Sequence, residues 1–220
     1  MSLSLLYRDE LRGFYKSNVM IILWIGLPLL SVTAYVSLPN LDQQTSMALI
    51  TASIISSVGG WLAAIMLAVH IIHEKSHHVY ELFLVRPVYR SHIILSKFLA
   101  VFTCVVSATV IAMILSLVVD YFFIQQYSET LFTDTLESLI PGLSIIAMEC
   151  AAGAFVGVLA SSVLVGIILV VITHNISSLT IMLPIMWHFP HTASLSAVIG
   201  MVLSSVFLYL AVALFQRRQF

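Results

Sequence analysis

FLAVFTCVVSATVIAMILSLVV, running from Phe98 to Val119, is twenty-two residues without a charged side chain, an amide or a proline. About 20 apolar residues in a helix cover the ~30 Å of a bilayer's hydrocarbon, so this stretch reads as a membrane span. The rest of the chain agrees with it. Of 220 residues, 60% are hydrophobic and only 9% charged, and the mean hydropathy is +1.08. Soluble domains carry about 25% charged residues to cover their surface. Disorder is excluded by the same apolarity and by a net charge of −1. The apolar runs are continuous rather than alternating, which selects helices over a barrel.

Working outward from that run, six can be counted: Val19–Leu38, Met47–Ile72, Phe98–Val119, Leu139–Ala160, Val163–Trp187 and Leu195–Phe215. Several exceed the length needed to cross, so tilts or bends are expected, with Gly59-Gly60 and Pro184 as places for them. The basic residues fix the orientation. They fall into three groups: Arg8, Arg12 and Lys16; Lys75, Arg86, Arg90 and Lys97; Arg217 and Arg218. The first connection, from Pro39 to Ser46, and the third, from Asp120 to Ser138, hold only acids: Asp42, Asp120, Glu129, Asp134 and Glu137. The positive-inside rule then puts both termini and the second connection in the cytoplasm of a multi-pass cell-membrane protein. The fourth connection, near Ser161-Ser162, is short and uncharged, and His188 and His191 fall outside.

Other features are quieter. A net charge of −1 gives no basic surface for nucleic acid. Cys104 and Cys150 lie inside apolar runs and read as packing residues. The first apolar run is longer than the ~7–15 residues of a signal-peptide core and is expected to be a retained span. Asn175-Ile176-Ser177 matches a glycosylation sequon but falls within a span, beyond a transferase's reach.

Residues 1–17 are expected to form an amphipathic interfacial helix. Leu3, Leu6, Tyr7, Leu11 and Phe14 gather on one face, and Arg8, Arg12 and Lys16 on the other. Such a helix serves either as a plain anchor on membrane lipid or as a grip for a partner.

The second connection carries the densest information. Residues His73 to Arg90 hold Glu74 and Glu81, the bases Lys75, Arg86 and Arg90, and His73, His77 and His78. Val79, Leu82, Phe83 and Arg86 share helical spacing, and Pro87 would stop the helix. A short amphipathic helix below the membrane is suited to docking in a groove of a soluble partner.

An acid closing the second span, an acid-Leu pair, a Pro, a basic residue and a Lys opening the third span occur here as Glu74, Glu81-Leu82, Pro87, Arg90 and Lys97, followed by Phe98-Leu99-Ala100. In this order the stretch resembles the first cytoplasmic loop of type-2 ABC-transporter permeases, the membrane subunits of exporters. Where that family usually has Gly-Thr or Gly-Ser, the chain has His78-Val79. The resemblance implies an all-α membrane protein of six transmembrane helices, with the N-terminal interfacial helix and a cytoplasmic coupling helix between spans two and three. It makes residues 1–220 a single permease domain, with 73–92 as the coupling loop. Glu74, Lys75, Glu81, Leu82, Phe83, Arg86, Pro87 and Arg90 would couple the spans to an ATPase, Glu74 by pairing with a nearby cation. The chain has no G-x-x-x-x-G-K-[ST] to cradle phosphates. ATP and Mg would therefore belong to a separate cytoplasmic ABC ATPase, and this chain would be no enzyme, with no catalytic residue, metal or cofactor of its own. A half-transporter of this size would pair with a second copy or a sister permease. Its substrate is not legible.

Two further constellations call for attention. Glu149 lies in the fourth run and His174-Asn175 in the fifth, each about twelve residues from Ser161-Ser162, or roughly 18 Å along each helix. They are expected at similar depth, either as a Glu149–His174 hydrogen bond holding two spans together or as part of a substrate path. Next to Glu149, Gly153-x-x-x-Gly157 offers a small-residue face for close helix packing. Separately, His73-Glu74-Lys75-Ser76-His77 is a literal H-E-x-x-H. On a helix its histidines could hold zinc with Glu74 as general base, making an integral-membrane metalloprotease the alternative. His70 and His78 are near the same face, but a third protein ligand and a downstream acidic motif are wanting.

Overall fold

The structure is a computed structural model and describes residues 3–16, 18–37, 51–52, 54–77, 89–119, 131–186 and 192–217. Among the described residues there is helix and short turn, and no strand. In chain order the helices are α1 (Leu3–Tyr15), α2 (Asn18–Ser37), a π-helical turn (Ile55–Gly59) leading into α3 (Gly60–Ser76), α4 (Arg90–Val119), α5 (Leu131–Leu159), α6 (Val163–Met186) and α7 (Thr192–Arg217).

Four stretches are long and apolar enough to cross a membrane: Ile55–Ser76, Arg90–Val119, Leu139–Leu159 and Ser194–Arg217. Leu3–Tyr15 with Met20–Leu30, bent by 63°, makes a fifth if the pair counts as one span. Val163–Ser177 is apolar but shorter. The fold is thus an all-helical, multi-pass membrane bundle.

Several helices outrun the apolar stretches that announced them. α3 continues past Ile72 through Glu74, Lys75 and Ser76, and α4 starts at Arg90, eight residues before Phe98. The ends of the expected 73–92 loop are therefore helical. α5 begins at Leu131 rather than Leu139. Hydropathy marks where helix enters hydrocarbon, whereas hydrogen bonding continues as long as polar side chains find partners or water. At Gly59-Gly60, where a bend is expected, a π-helical turn ends at Gly59 and α3 begins. Pro184 lies within α6.

α5 is the central element: 67% of its apolar window is buried, against 22% for α7. It packs on α3 through a register of small residues. A Cβ on Gly60 would meet Glu149 Cγ at 3.1 Å, one on Gly153 the Ala64 carbonyl oxygen at 2.5 Å, and one on Gly157 the Ala68 Cα at 3.1 Å. Gly60, Ala64 and Ala68 thus face Glu149, Gly153 and Gly157, each row at i, i+4, i+8, and the numbers rise together, so the two helices run parallel. Parallel packing is what two helices separated in the chain by one other require in an up-and-down bundle. α7 lies parallel to α5 as well, with Gly200 on Ser144 and the Ser204 hydroxyl donating to the Ala147 carbonyl at 3.2 Å. α6 runs antiparallel to α3, bringing Gly166 against Ile72 and His174 beside Trp61.

The outward faces are apolar. Leu164, Ile168, Ile172 and Ile176 of α6 are exposed at every fourth position, as are Val198, Val202, Val206 and Leu210 of α7. Large exposed side chains in such rows belong against lipid. α1 has the amphipathic character its spacing predicts: Leu6 and Phe14 are buried, Tyr7 and Leu11 pack on the core, and Arg8, Arg12 and Lys16 are exposed.

Candidate functional site

One end of the bundle collects the charges. Lys97, in the second turn of α4, is fully buried. Stripping an ammonium of water costs several kcal/mol unless acids and hydrogen bonds replace the water. Lys97 has such partners from two other helices: its Nζ donates to Glu74 Oε1 of α3 at 2.7 Å and to Glu10 Oε1 of α1 at 2.6 Å. His70 Nδ1 lies 3.4 Å from the same nitrogen and 3.4 Å from Glu74 Oε1, and the Phe14 ring packs on the imidazole at 4.9 Å. Glu10, Glu74 and Lys97 together carry a formal −1. Tyr7 adds a hydrogen bond to Thr103 at 3.0 Å, fixing α1 along α4. The cluster therefore ties three helices at one point, bracketing the segment between α3 and α4.

The same end holds two more cross-links. Lys75 Nζ donates to the carbonyl of Ala160, just past the C-terminus of α5, at 2.9 Å. A cation there satisfies an orphan carbonyl and sits well in the helix dipole. Arg90 Nη1 reaches the Gln216 carbonyl near the end of α7 at 3.4 Å. Glu74, Lys75 and Arg90 are thus all seated on helix ends, while Glu81, Leu82, Phe83, Arg86 and Pro87 lie outside the described residues, as do His78, His188 and His191.

Glu10, His70 and Glu74 have ligand atoms within 4.8 Å of one another, close enough to hold a metal ion. The Lys97 ammonium already occupies the point on which they converge. His73 and His77 are exposed with their rings 4.3 Å apart, consistent with their i, i+4 spacing. Glu74, the acid between them, has its Oε1 engaged by Lys97 instead. Among the described residues no group of three metal-ligating side chains includes both His73 and His77.

Deeper in the bundle, Glu149 is 1% exposed, and His174 Nδ1 comes within 3.3 Å of its Oε1. The approach lacks hydrogen-bond alignment, and neither carboxylate oxygen has a hydrogen-bond partner among the described residues. Asn175 does not join them: it is exposed, and its Nδ2 donates to the Val171 carbonyl of its own helix at 2.8 Å.

Glu10 went unnoticed in the sequence, although a signal was there. It falls within the apolar stripe Leu6, Tyr7, Leu11, Phe14 of α1, where an acid is out of place unless a buried base meets it. Comparison with known protein families and with curated proteins gives no match.

Proposed function

We propose that this chain is the membrane-spanning subunit of an ATP-driven exporter of the type-2 ABC class, driven by a separate cytoplasmic ATPase. The observation that supports the reading best is the Glu74–Lys97–Glu10 cluster. It joins the two helix ends that flank the amphipathic 78–88 segment, so a push on that segment would move α1, α3 and α4 together rather than flex a loose loop. Lys75 and Arg90 extend the same connection to α5 and α7. In this reading the basic end faces the cytoplasm, residues 1–17 rest on lipid, and α2 and α6 complete six spans. Two such subunits, identical or sister chains, enclose the path. ATP closes the ATPases on the loop and the bundle changes its access side; hydrolysis resets it.

Co-expression with the ATPase encoded nearest to this chain, followed by pull-down in detergent, tests the proposal. A stable complex is expected, with ATPase activity that depends on the membrane subunit. Glu81→Ala with Leu82→Ala should lower that dependence at least about tenfold, the scale of losing ~1.4 kcal/mol of coupling. Absence of a complex, together with stoichiometric zinc that is lost on His73→Ala and His77→Ala, would overturn the exporter and favour the metalloprotease.

A further inference from the structure

Glu149 lies ten residues, or roughly 15 Å, from either end of the apolar stretch Leu139–Leu159. Gly60, which faces it, stands fourteen residues before Glu74, or roughly 21 Å along the helix from the charged cluster. A carboxylate at such a depth must be paired or protonated. The surroundings offer little choice. α3 presents Gly60, whose missing side chain makes room for the Glu149 stem, and Trp61, whose indole Nε1 is itself buried without a hydrogen-bond partner among the described residues. The ionisable residues of α3, His70, His73, Glu74 and Lys75, lie toward the far end of that helix. Those of α4, namely Arg90, His92, Lys97 and Cys104, sit in its first half, and those of α7 are Tyr209 and Arg217, past Ser204. On α5 itself the neighbour is Cys150, a buried thiol. Within ion-pair reach there is only His174 of α6 among the described residues, and it is the single ionisable side chain of that helix.

We propose that Glu149 and His174 form an intramembrane proton-binding site that holds one proton between them. With that proton the pair is neutral overall, as carboxylic acid beside imidazole. Removing it leaves Glu149 an anion with no cation in reach among the described residues, a costly state away from water. Oε1 and Nδ1 lie 3.3 Å apart, so a rotation of either side chain that aligns them closes the hydrogen bond along which the proton is shared. Because the two groups sit on different helices, any movement of α6 away from α5 separates them and forces the proton to be retained by one or released. The site stands independently of the exporter reading.

Infrared titration of the purified protein in lipid nanodiscs tests the site. A carbonyl band of a protonated carboxylic acid is expected at neutral pH, and it should vanish in Glu149→Gln. In His174→Ala the pH midpoint of that band should move by at least about one unit, the size of a lost charge partner. Asn175→Ala should leave it in place. If Glu149→Gln fails to assemble, the His174→Ala titration in otherwise intact protein still decides. A midpoint indifferent to His174→Ala, or no Glu149 carboxylic band between roughly pH 5 and 9, overturns the proposal.

Discussion

Gly153 rests on the backbone of Ala64: a Cβ at that glycine would lie 2.5 Å from the Ala64 carbonyl oxygen and 2.6 Å from its Cα. Both are main-chain atoms that no rotamer change can move. Lipid tails are as apolar as the side chains they replace, so close fit rather than burial holds membrane helices together. Gly153→Ala should push α5 off α3 and cost about 1–3 kcal/mol. Gly26→Ala on α2, with nothing within 4 Å of its Cβ among the described residues, should be neutral or slightly stabilising. Heating each variant in detergent and recording the monodisperse fraction by size exclusion separates them.

Lys97→Met keeps the volume of the side chain and removes its charge. Glu10 and Glu74 are then left facing each other without a cation. The loss should be about 3–5 kcal/mol, or a melting midpoint lower by on the order of 10 °C. Glu10→Gln leaves Lys97 with Glu74 and a neutral acceptor, so its loss should be nearer 1–2 kcal/mol. If the two variants melt alike, the cluster is not the three-helix tie its geometry describes.

Glu74 offers a sharper comparison. Its carboxylate is bound to Lys97, while His73 and His77 are exposed. Glu74→Gln leaves Lys97 with Glu10 and a neutral acceptor, so it should resemble Glu10→Gln in stability while lowering coupling to the ATPase. His73→Ala with His77→Ala should leave both within about twofold of the parent, a free-energy change under ~0.5 kcal/mol typical of exposed positions. A shared phenotype of Glu74 and the two histidines would instead mark them as one zinc-dependent unit.

Lys75→Ala removes a charged donor from the carbonyl of Ala160. A hydrogen bond with one charged partner contributes about 1.5–3 kcal/mol. Its loss should fray the last turn of α5 before the rest of the bundle opens. Hydrogen exchange read on the peptide covering Val156 to Ala160 should accelerate, while the peptide around Gly153 stays protected; Lys75→Arg should restore most of the protection.

How far the sequence speaks differs from element to element. Long uncharged runs such as Phe98–Val119 identify their helices outright, because hydrocarbon admits little but closed hydrogen-bonded helix. The start of α4 does not show in hydropathy, since Arg90, His92 and Lys97 look like the edge of a loop until their partners are known. Gly153-x-x-x-Gly157 is legible as a packing face, but the row it meets, Gly60, Ala64 and Ala68, becomes meaningful only once α3 and α5 are seen to run side by side. Likewise the closeness of Glu149 and His174 follows from counting residues about Ser161-Ser162, whereas the turning of Asn175 back onto Val171 depends on where α6 faces lipid. Pairings between helices distant in sequence are written in shape, and a linear pattern carries shape only indirectly.

The Lys97 cluster also has a chronology. A chain is made from its N-terminus, and its helices enter the bilayer in that order. Glu10 on α1 and Glu74 on α3 therefore emerge before Lys97 of α4 leaves the ribosome. A lone ammonium inserted into lipid is among the less favourable events of membrane insertion. Here the base arrives at two waiting acids, so α4 can settle to its full depth on first passage, and the order of synthesis itself guides the bundle toward one arrangement.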